Sequence, residues 1–530
     1  MQKIWKVKPK QSEDILEQLL INRNIAADKE KQVFFDAKLD DFEKELQISG
    51  ILKAQKRIKE AIEKQELIVI YGDYDVDGIS ASAICYKALT SIGAKVLPYI
   101  PHREKEGYGL SETGLMFARD SGASLVITVD NGIVAINQAK YAKDLELDLI
   151  ITDHHLPLKE KPQAYSIIHS TKMCGAAVAW CLVRGVIGKN LAQDLLQFVA
   201  IATVCDLMPL IGLGRVFLKE GLKALRKTDN LGLRELAKEA KIDLENVGSY
   251  EIGHILGPRL NAVGRLEHAI DALRLLCTKH VIKAKTLAKL LSDTNKKRQQ
   301  LTLDAVDEAK LLIDKTKKVH ILSSQNWSQG IIGLVAGRVC GEYYRPAIAI
   351  SVGESISKGS ARSVAGLNIV EIIRECKDLL IDVGGHSGAA GFSLYNENLK
   401  TFIEKIEGLV MDLPDQIEQV LEIDAQLDSK KITKSLINKL EDFEPFGFGN
   451  PRPLFVTERM QVSGLKTVGE GKHLKFRADN IDAIGFGVGE WKNILTNGQF
   501  VDLVYNIELN RYNGFEKIQL MVKDLKVSDS

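Results

Sequence analysis

An α/β fold built on a parallel sheet is the architecture that this 530-residue chain predicts, and three observations carry it. Apolar runs at 67–70, 124–129 and 147–152 each stop at polar chemistry. The first runs into Asp73, Asp75 and Asp77, the second into Asp130, Asn131 and Gly132, and the third into Asp153, His154 and His155. The stretches between them, 80–91 and 134–143, carry helical spacing. Strand, helix, strand, helix in this order describes a parallel sheet with helices on its faces, and ligands bind such sheets beyond the carboxyl ends of the strands.

That edge reads as a metal site. Side chains two apart in an extended backbone point the same way, so Asp73, Asp75 and Asp77 are expected to converge, with Asp130 and His154 at the same edge. Asp206 follows a long apolar, helix-like run and adds a fourth acidic segment. Oxygen-rich sites with few imidazoles favour Mg²⁺ or Mn²⁺ over zinc. An EF-hand loop also opens with Asp-x-Asp-x-Asp-Gly, but it needs a glutamate at its twelfth position, which here is Ile84. A solvated acidic turn is the remaining alternative; agreement of four separate segments on one location opposes it. Two adjacent histidines after an aspartate are also a poor way to end a buried strand unless they bind something.

Beyond the first domain, expected to run from 1 to 275 with an N-terminal extension, residues 283–313 read as one long polar-faced helix in a connector at 276–315. Its charged face, including Asn295, Lys296, Lys297, Arg298, Gln299 and Gln300, is either solvated or lines a cleft. A smaller α/β domain at 316–416 follows, with strands at 319–323 and 347–351 and a helix at 331–342. Its glycine-rich segments suit phosphate: in KGSARS at 358–363, Gly359 admits close approach, Ser360 offers a hydroxyl and Arg362 a planar fork, and GGHSGAAG at 384–391 adds His386. From 417 to 530 the pattern becomes short alternating strands. Leu474 and Phe476 share one face, His473, Lys475 and Arg477 the other, and Asn513 with Gly514 supplies a hairpin turn. This fits a small β-barrel, either an ordinary one or an OB-fold whose basic stripe of Lys472, Lys475 and Arg477 tracks a nucleic acid.

The acidic triplet, Asp130, the Asp153, His154, His155 run and Asp206 together resemble the four-motif signature of the DHH phosphoesterase superfamily. KGSARS and GGHSGAAG are similar to the domain that accompanies it, while GPRLNAVGR at 257–265 and PFGFGNP at 445–451 resemble the RecJ-type single-strand-specific exonucleases. The resemblance implies two Mn²⁺ or Mg²⁺ ions: Asp73 and Asp75 on one, Asp77, His154 and Asp206 on the other, Asp130 bridging, and Asp153 supporting. It implies that His155 contacts the phosphate, and that Arg103, Tyr108 and Arg265 contact the terminal phosphate or backbone. It further implies stepwise 5′ to 3′ release of 5′-mononucleotides from single-stranded DNA in repair and recombination, an OB-fold at the C-terminus, and a monomer working with single-strand-binding protein and a helicase. The segment 167–175 departs from the family, being short, with His169 and Ser170 where Asn-Pro is usual. An additional C-terminal domain found in some relatives is expected to be absent.

Bulk composition constrains less. A net charge of +1 means that any basic surface is a local groove. Seven scattered cysteines with no C-x-x-C pair suggest neither disulfides nor a zinc ribbon. No signal peptide opens the chain and the longest apolar run, 198–205, cannot span a bilayer, so the expected location is cytoplasmic and no membrane partner is expected. Two other classes fit parts of the pattern. A small-substrate phosphodiesterase has little use for a basic barrel, and an inactive scaffold has no use for an intact acidic set.

Overall fold

The computed structural model describes residues 3–415, 417–512 and 515–528. The chain forms two compact units: Phe42–Met208 with Phe217–Ile417, and Met1–Asp41 with Pro209–Val216 and Glu418–Ser530.

The larger unit holds the predicted parallel sheet. Its five strands lie in the order Lys95–Tyr99, Leu67–Tyr71, Ala123–Val129, Asp148–Asp153, Ser166–His169. The central strands are buried on both faces, which is why they read as unbroken apolar runs rather than alternating ones. On one face Val69, Tyr71, Val126, Leu149 and Ile151 pack against Leu115, Ala118 and Ala139 of the helices Glu112–Asp120 and Ile136–Asp144. The helices Val76–Ser91, Gly175–Val183 and Lys189–Cys205 pack together as a second group. The chain steps from Leu67–Tyr71 to one side, then jumps to Ala123–Val129 on the other. Such an order reversal leaves a crevice at the strand carboxyl ends. The loops that carry Asp73 and Asp130 part there.

Helix Val281–Leu311 leads to the second sheet of this unit, in the order Asp382–His386, Ala389–Tyr395, Ile356–Arg362, Ala347–Ser351, His320–Ser324. Only the last pair is parallel. One face packs on Ala305, Val306 and Ala309 of the long helix and on Val335, Ala336 and Val339 of helix Ile332–Tyr343; the other holds Phe392, Phe402, Ile369 and Ile373. On the long helix Lys296, Lys297, Gln299 and Gln300 are exposed, whereas Asn295 is buried and Arg298 half-buried. The polar run is thus partly solvated and partly turned inward.

The smaller unit is a closed barrel of strands Phe455–Val468, His473–Ala478, Ile481–Gly485, Phe515–Val527 and Phe500–Tyr512, the last pairing back to the first. Leu474 and Phe476 point into its core and Lys475 and Arg477 out, as the alternation requires. The turn assigned to Asn513 and Gly514 lies outside the described residues. Residues before 42 pack here: Leu19, Leu20 and Phe34 join the barrel core, and strand Ile4–Val7 pairs in parallel with Val420–Ile423. The PFGFGNP segment is held from below. Arg215, fully buried, donates to the carbonyls of Phe34, Asp442, Phe443, Glu444 and Pro445, and Asn450 Nδ2 donates to those of Phe443 and Pro445. A buried guanidinium without a carboxylate is tolerable only with its donors satisfied in this way. Among the described residues, no helix is long and apolar enough to cross a membrane.

Candidate metal centre

The acidic triplet converges, though not by extended alternation. The backbone turns into helix at Val76, so Asp75 becomes the N-cap, accepting from the amides of Asp77 (2.9 Å) and Gly78 (3.1 Å), while Asp77 lies in the first helical turn. Asp77 thus falls in a different donor set from Asp73. Its two carboxylate oxygens accept from the amides of Gly175 and Ala176, both at 2.7 Å. Asp130 has a left-handed backbone, φ 64°, which swings its side chain into the crevice. Glycine makes room for it: a Cβ on Gly175 would lie 2.5 Å from Asp130 Oδ1.

Two donor groups result. Asp73, Asp75 and Asp130 offer ligand atoms within 4.8 Å of one another, as do Asp77, His154 and Asp206. His154 joins them, its Nε2 being 3.2 Å from Asp130 Oδ1 and 3.6 Å from both Asp77 Oδ2 and Asp206 Oδ2. His155 with His154 and Asp130 forms a third possible donor set. Asp206 stands at the C-cap of helix Lys189–Cys205, the helix suggested by its apolar run.

The electrostatics are those of a site for a cation. Asp73 Oδ1, Asp130 Oδ1 and His154 Nε2 are buried with no hydrogen-bond partner among the described residues. Buried polar atoms are rarely left so, and these three aim into one volume. Burial, then Asp75, raises Asp73 well above the usual carboxylate range; burial, then Asp77, does the same to Asp130. Burial and Asp75 push Asp77 up to about 7, and burial and Asp77 push Asp206 up to about 8. Burial, then His155, pushes His154 down to about 4, leaving the neutral imidazole that ligates metals. Carboxylates that resist ionisation beside neutral imidazole fit a hard divalent ion.

Asp153 has a different task. It is buried and accepts from the amides of Ile133 (2.8 Å), His154 (2.7 Å) and His155 (3.2 Å), and its Oδ1 is 2.7 Å from His155 Nδ1. Burial opposes its charge, but these hydrogen bonds and His155 win, and its pKa is lowered. His155 moves the other way: burial lowers it, yet Asp153 lifts it to about 8. The Tyr108 hydroxyl meets its ring at 3.1 Å. His169, in the departing segment, places Nε2 2.7 Å from the His155 carbonyl. The end of strand Ser166–His169 therefore braces the backbone of the histidine pair.

A basic cluster lies in the same unit. Burial, then Arg103, Arg298 and Arg362, pushes Arg265 down to about 10, with Asp75 acting against them. Arg103 stacks over Tyr74, 4.8 Å from the ring centre, Arg265 Nη1 donates to the Gly330 carbonyl, and Arg362 Nη1 donates to Ser360 Oγ. Lys358, Ser360 and Arg362 lie in a strand, not a turn, and Gly359 makes room for the Phe392 ring rather than for a ligand. The open glycines are others. Ser360 is opposite Gly391 and then Gly384, where added side chains would meet nothing within 4 Å. Arg362 is likewise opposite Ala389 and then His386, which is exposed. Arg298 carried no separate signal in sequence.

In the barrel unit Lys475 and Arg477 lie on the outer face, with Lys472 just before the strand. Arg477 is 3.4 Å from Asp482 and Lys472 3.7 Å from Glu470, so both are partly neutralised. Lys466, unremarked in the sequence, is the cross-strand neighbour of Lys475 and is exposed.

Family models match the chain in three places: DHH family, N-terminal domain, at 67–203; DHHA1 domain at 316–412; and RecJ OB domain at 423–524. The Bacillus subtilis single-stranded-DNA-specific exonuclease RecJ is 36% identical over 533 residues, covering 96% of this chain and 68% of the relative. The Escherichia coli protein of that name is 30% identical, covering 90% of each. A crystal structure of RecJ from Thermus thermophilus in complex with Mn²⁺ superposes with a TM-score of 0.86 at 26% identity, over 99% of this chain and 80% of that one. A second, in complex with Mg²⁺, gives 0.79 at the same identity, over 99% of this chain and 79% of that one. The barrel is accordingly an OB-fold, and with this set of motifs and full-length similarity the chain belongs to the RecJ family of DHH proteins.

Proposed function

We propose that this chain is a metal-dependent exonuclease that degrades single-stranded DNA from the 5′ end, releasing 5′-mononucleotides, in repair and recombination. The observation that carries this reading is the pair of three-donor groups at one sheet edge, in one unit with a cluster of arginines. Family membership supports the substrate class. In this reading Asp73 and Asp75 would hold one Mn²⁺ or Mg²⁺, Asp77, His154 and Asp206 would hold the other, and Asp130 would serve both. Two such ions, when bound, lower the pKa of a water and offset charge on the phosphate.

The chain's own residues do the rest. Asp153, fixed by three amides, orients His155 and keeps it protonated near neutrality, so that it donates to a phosphate oxygen. Tyr108 stands beside it as a second donor. Arg362 and Ser360, with Arg103 and Arg265, grip the terminal phosphate, which fixes polarity, while His386 lies in the same cross-strand row as Arg362. Lys472, Lys475 and Arg477 contact the strand's backbone farther along. The proposed modules are a catalytic domain from 42 to 275, a connector to 315, a substrate-binding domain to 416 and the OB-fold beyond, with residues before 42 packed on the barrel. Seven unpaired cysteines support a reducing, cytoplasmic setting. A monomer working on strands delivered by a helicase or coated by single-strand-binding protein completes the proposal, on family membership alone.

The test is to incubate the protein with Mn²⁺ and a 5′- or 3′-labelled single strand, free or annealed to its complement. The 5′ label should appear at once as mononucleotide, the 3′ label as a descending ladder, and the duplex should survive. Cleavage of dinucleotides with none of long strands would favour a small-substrate phosphodiesterase instead.

A further inference from the structure

We propose that Tyr250, stacked on His254, is a platform for a base a few nucleotides downstream of the 5′ end, a positioning role that rests on the nuclease reading above. The two ring centroids are 4.5 Å apart with planes 18° from parallel, and His254 Nδ1 is 3.2 Å from the Tyr250 carbonyl. Both residues are exposed, Tyr250 at 62%. A flat, pre-stacked pair facing solvent is what sequence-tolerant base stacking uses, but an exposed aromatic by itself proves nothing. Its place on the helix that borders the carboxylates decides the matter.

His254 lies in a single π turn, Ile252–Leu256, that continues directly into helix Gly257–Leu266. Such turns recur at functional sites. Contacts along the helix fix its course. Gly253 faces Val204, and a Cβ on Gly257 would lie 2.4 Å from Cys205 Sγ, immediately before Asp206. One turn on, Asn261 Oδ1 accepts the Val76 amide at 3.1 Å, between Asp75 and Asp77. A Cβ on Gly264 would lie 2.5 Å from the Tyr74 carbonyl, and Arg265 then enters the arginine cluster. The helix therefore runs along the carboxylates from the Asp206 side to the arginine side. At 1.5 Å per residue, Asn261, beside the carboxylates, lies roughly 10–16 Å from His254 and Tyr250 along this helix. A strand whose terminal phosphate meets Arg265 and whose first linkage lies at the carboxylates leaves past Asp206, toward Tyr250 and His254. That distance corresponds to about the third to fifth nucleotide.

The test uses the full chain with Mn²⁺. On 5′-phosphorylated oligothymidylate, Tyr250→Ala should raise KM by about tenfold, in line with stacking on a protein ring, with kcat nearly unchanged. Tyr250→Trp should restore KM. Turnover of a 5′-phosphorylated dinucleotide, too short to reach the ring, should be the same in all three proteins, which also checks folding. An abasic residue scanned through positions two to six should raise the wild-type KM at one position and leave Tyr250→Ala indifferent there. Equal KM values, or an abasic penalty unchanged by the substitution, overturn the platform. If the wild type cuts no strand, the nuclease reading fails separately, and binding decides: 2-aminopurine scanned along a bound strand should be quenched at one position by the wild type and not by Tyr250→Ala. Quenching that ignores the substitution, or no binding, overturns the platform as well.

Discussion

Without divalent ions, this protein should lose stability as pH rises from about 4 to 8, and Mn²⁺ should reverse the loss. Asp77 titrates near 7 and Asp206 near 8 in the folded, metal-free site, each from an ordinary 3.8. The folded state thus binds more protons than the unfolded chain between about pH 4 and 8. Where the folded pKa is the higher one, the linked stability is fully present below the unfolded pKa and is lost as pH passes through the folded value. For Asp77, fully buried, the change is on the order of 4 kcal/mol. Asp206 is partly exposed and titrates against the same neighbours, so its share does not add in full. A loss of that size lowers a melting temperature by roughly 5–10 °C. A divalent ion replaces the protons, so the gap between Mn²⁺ and EDTA melting curves should be small at pH 4.5 and widen toward pH 8.5. Asp206→Asn should narrow it by raising the EDTA curve at high pH. An EDTA melting temperature that stays level from pH 4.5 to 8.5, or an Mn²⁺ gain equal at both ends, would mean that these buried carboxylates do not govern the site.

Three further outcomes follow from the same geometry. Asp130→Ala removes the acid proposed to serve both ions, and should abolish hydrolysis in a metal-titrated assay while strand binding measured by anisotropy persists. Arg362→Ala should weaken binding of 5′-phosphorylated strands by about 10- to 100-fold, as loss of a charged hydrogen bond does, and 5′-hydroxyl strands much less; equal losses place the clamp elsewhere. Lys466→Glu with Lys475→Glu reverses two neighbouring lysines on the outer face of the barrel, and should flatten the salt dependence of affinity for long strands, seen as a reduced slope of log K against log salt.

Much of this centre was legible because the chemistry is concentrated at strand ends. Asp73, Asp130 and His154 each follow an apolar run, and a parallel sheet must bring those ends to one edge. Helix Lys189–Cys205 and the alternation around Leu474 and Phe476 were readable for the same reason, since period follows burial. What could not be read is what depends on distant pairings. The amides of Gly175 and Ala176 that hold Asp77 are about a hundred residues away in sequence, and Asn261 reaches Val76 from the GPRLNAVGR segment, where sequence offered a role for Arg265 and none for Asn261. The glycines of KGSARS and GGHSGAAG could be seen, but only register tells that Gly359 serves Phe392 while Gly384 and Gly391 leave open space beside Ser360. The N-terminal residues looked like an extension of the catalytic domain, because Leu19, Leu20 and Phe34 carry no mark of which core they enter.

The proposed chemistry depends on two cations sharing this sheet edge, and anomalous diffraction from crystals soaked in Mn²⁺ would locate them. Two peaks are expected, one among Asp73, Asp75 and Asp130 and one among Asp77, His154 and Asp206, with Asp130 near both. A single peak, or manganese bound away from these residues, is incompatible with a shared two-ion site.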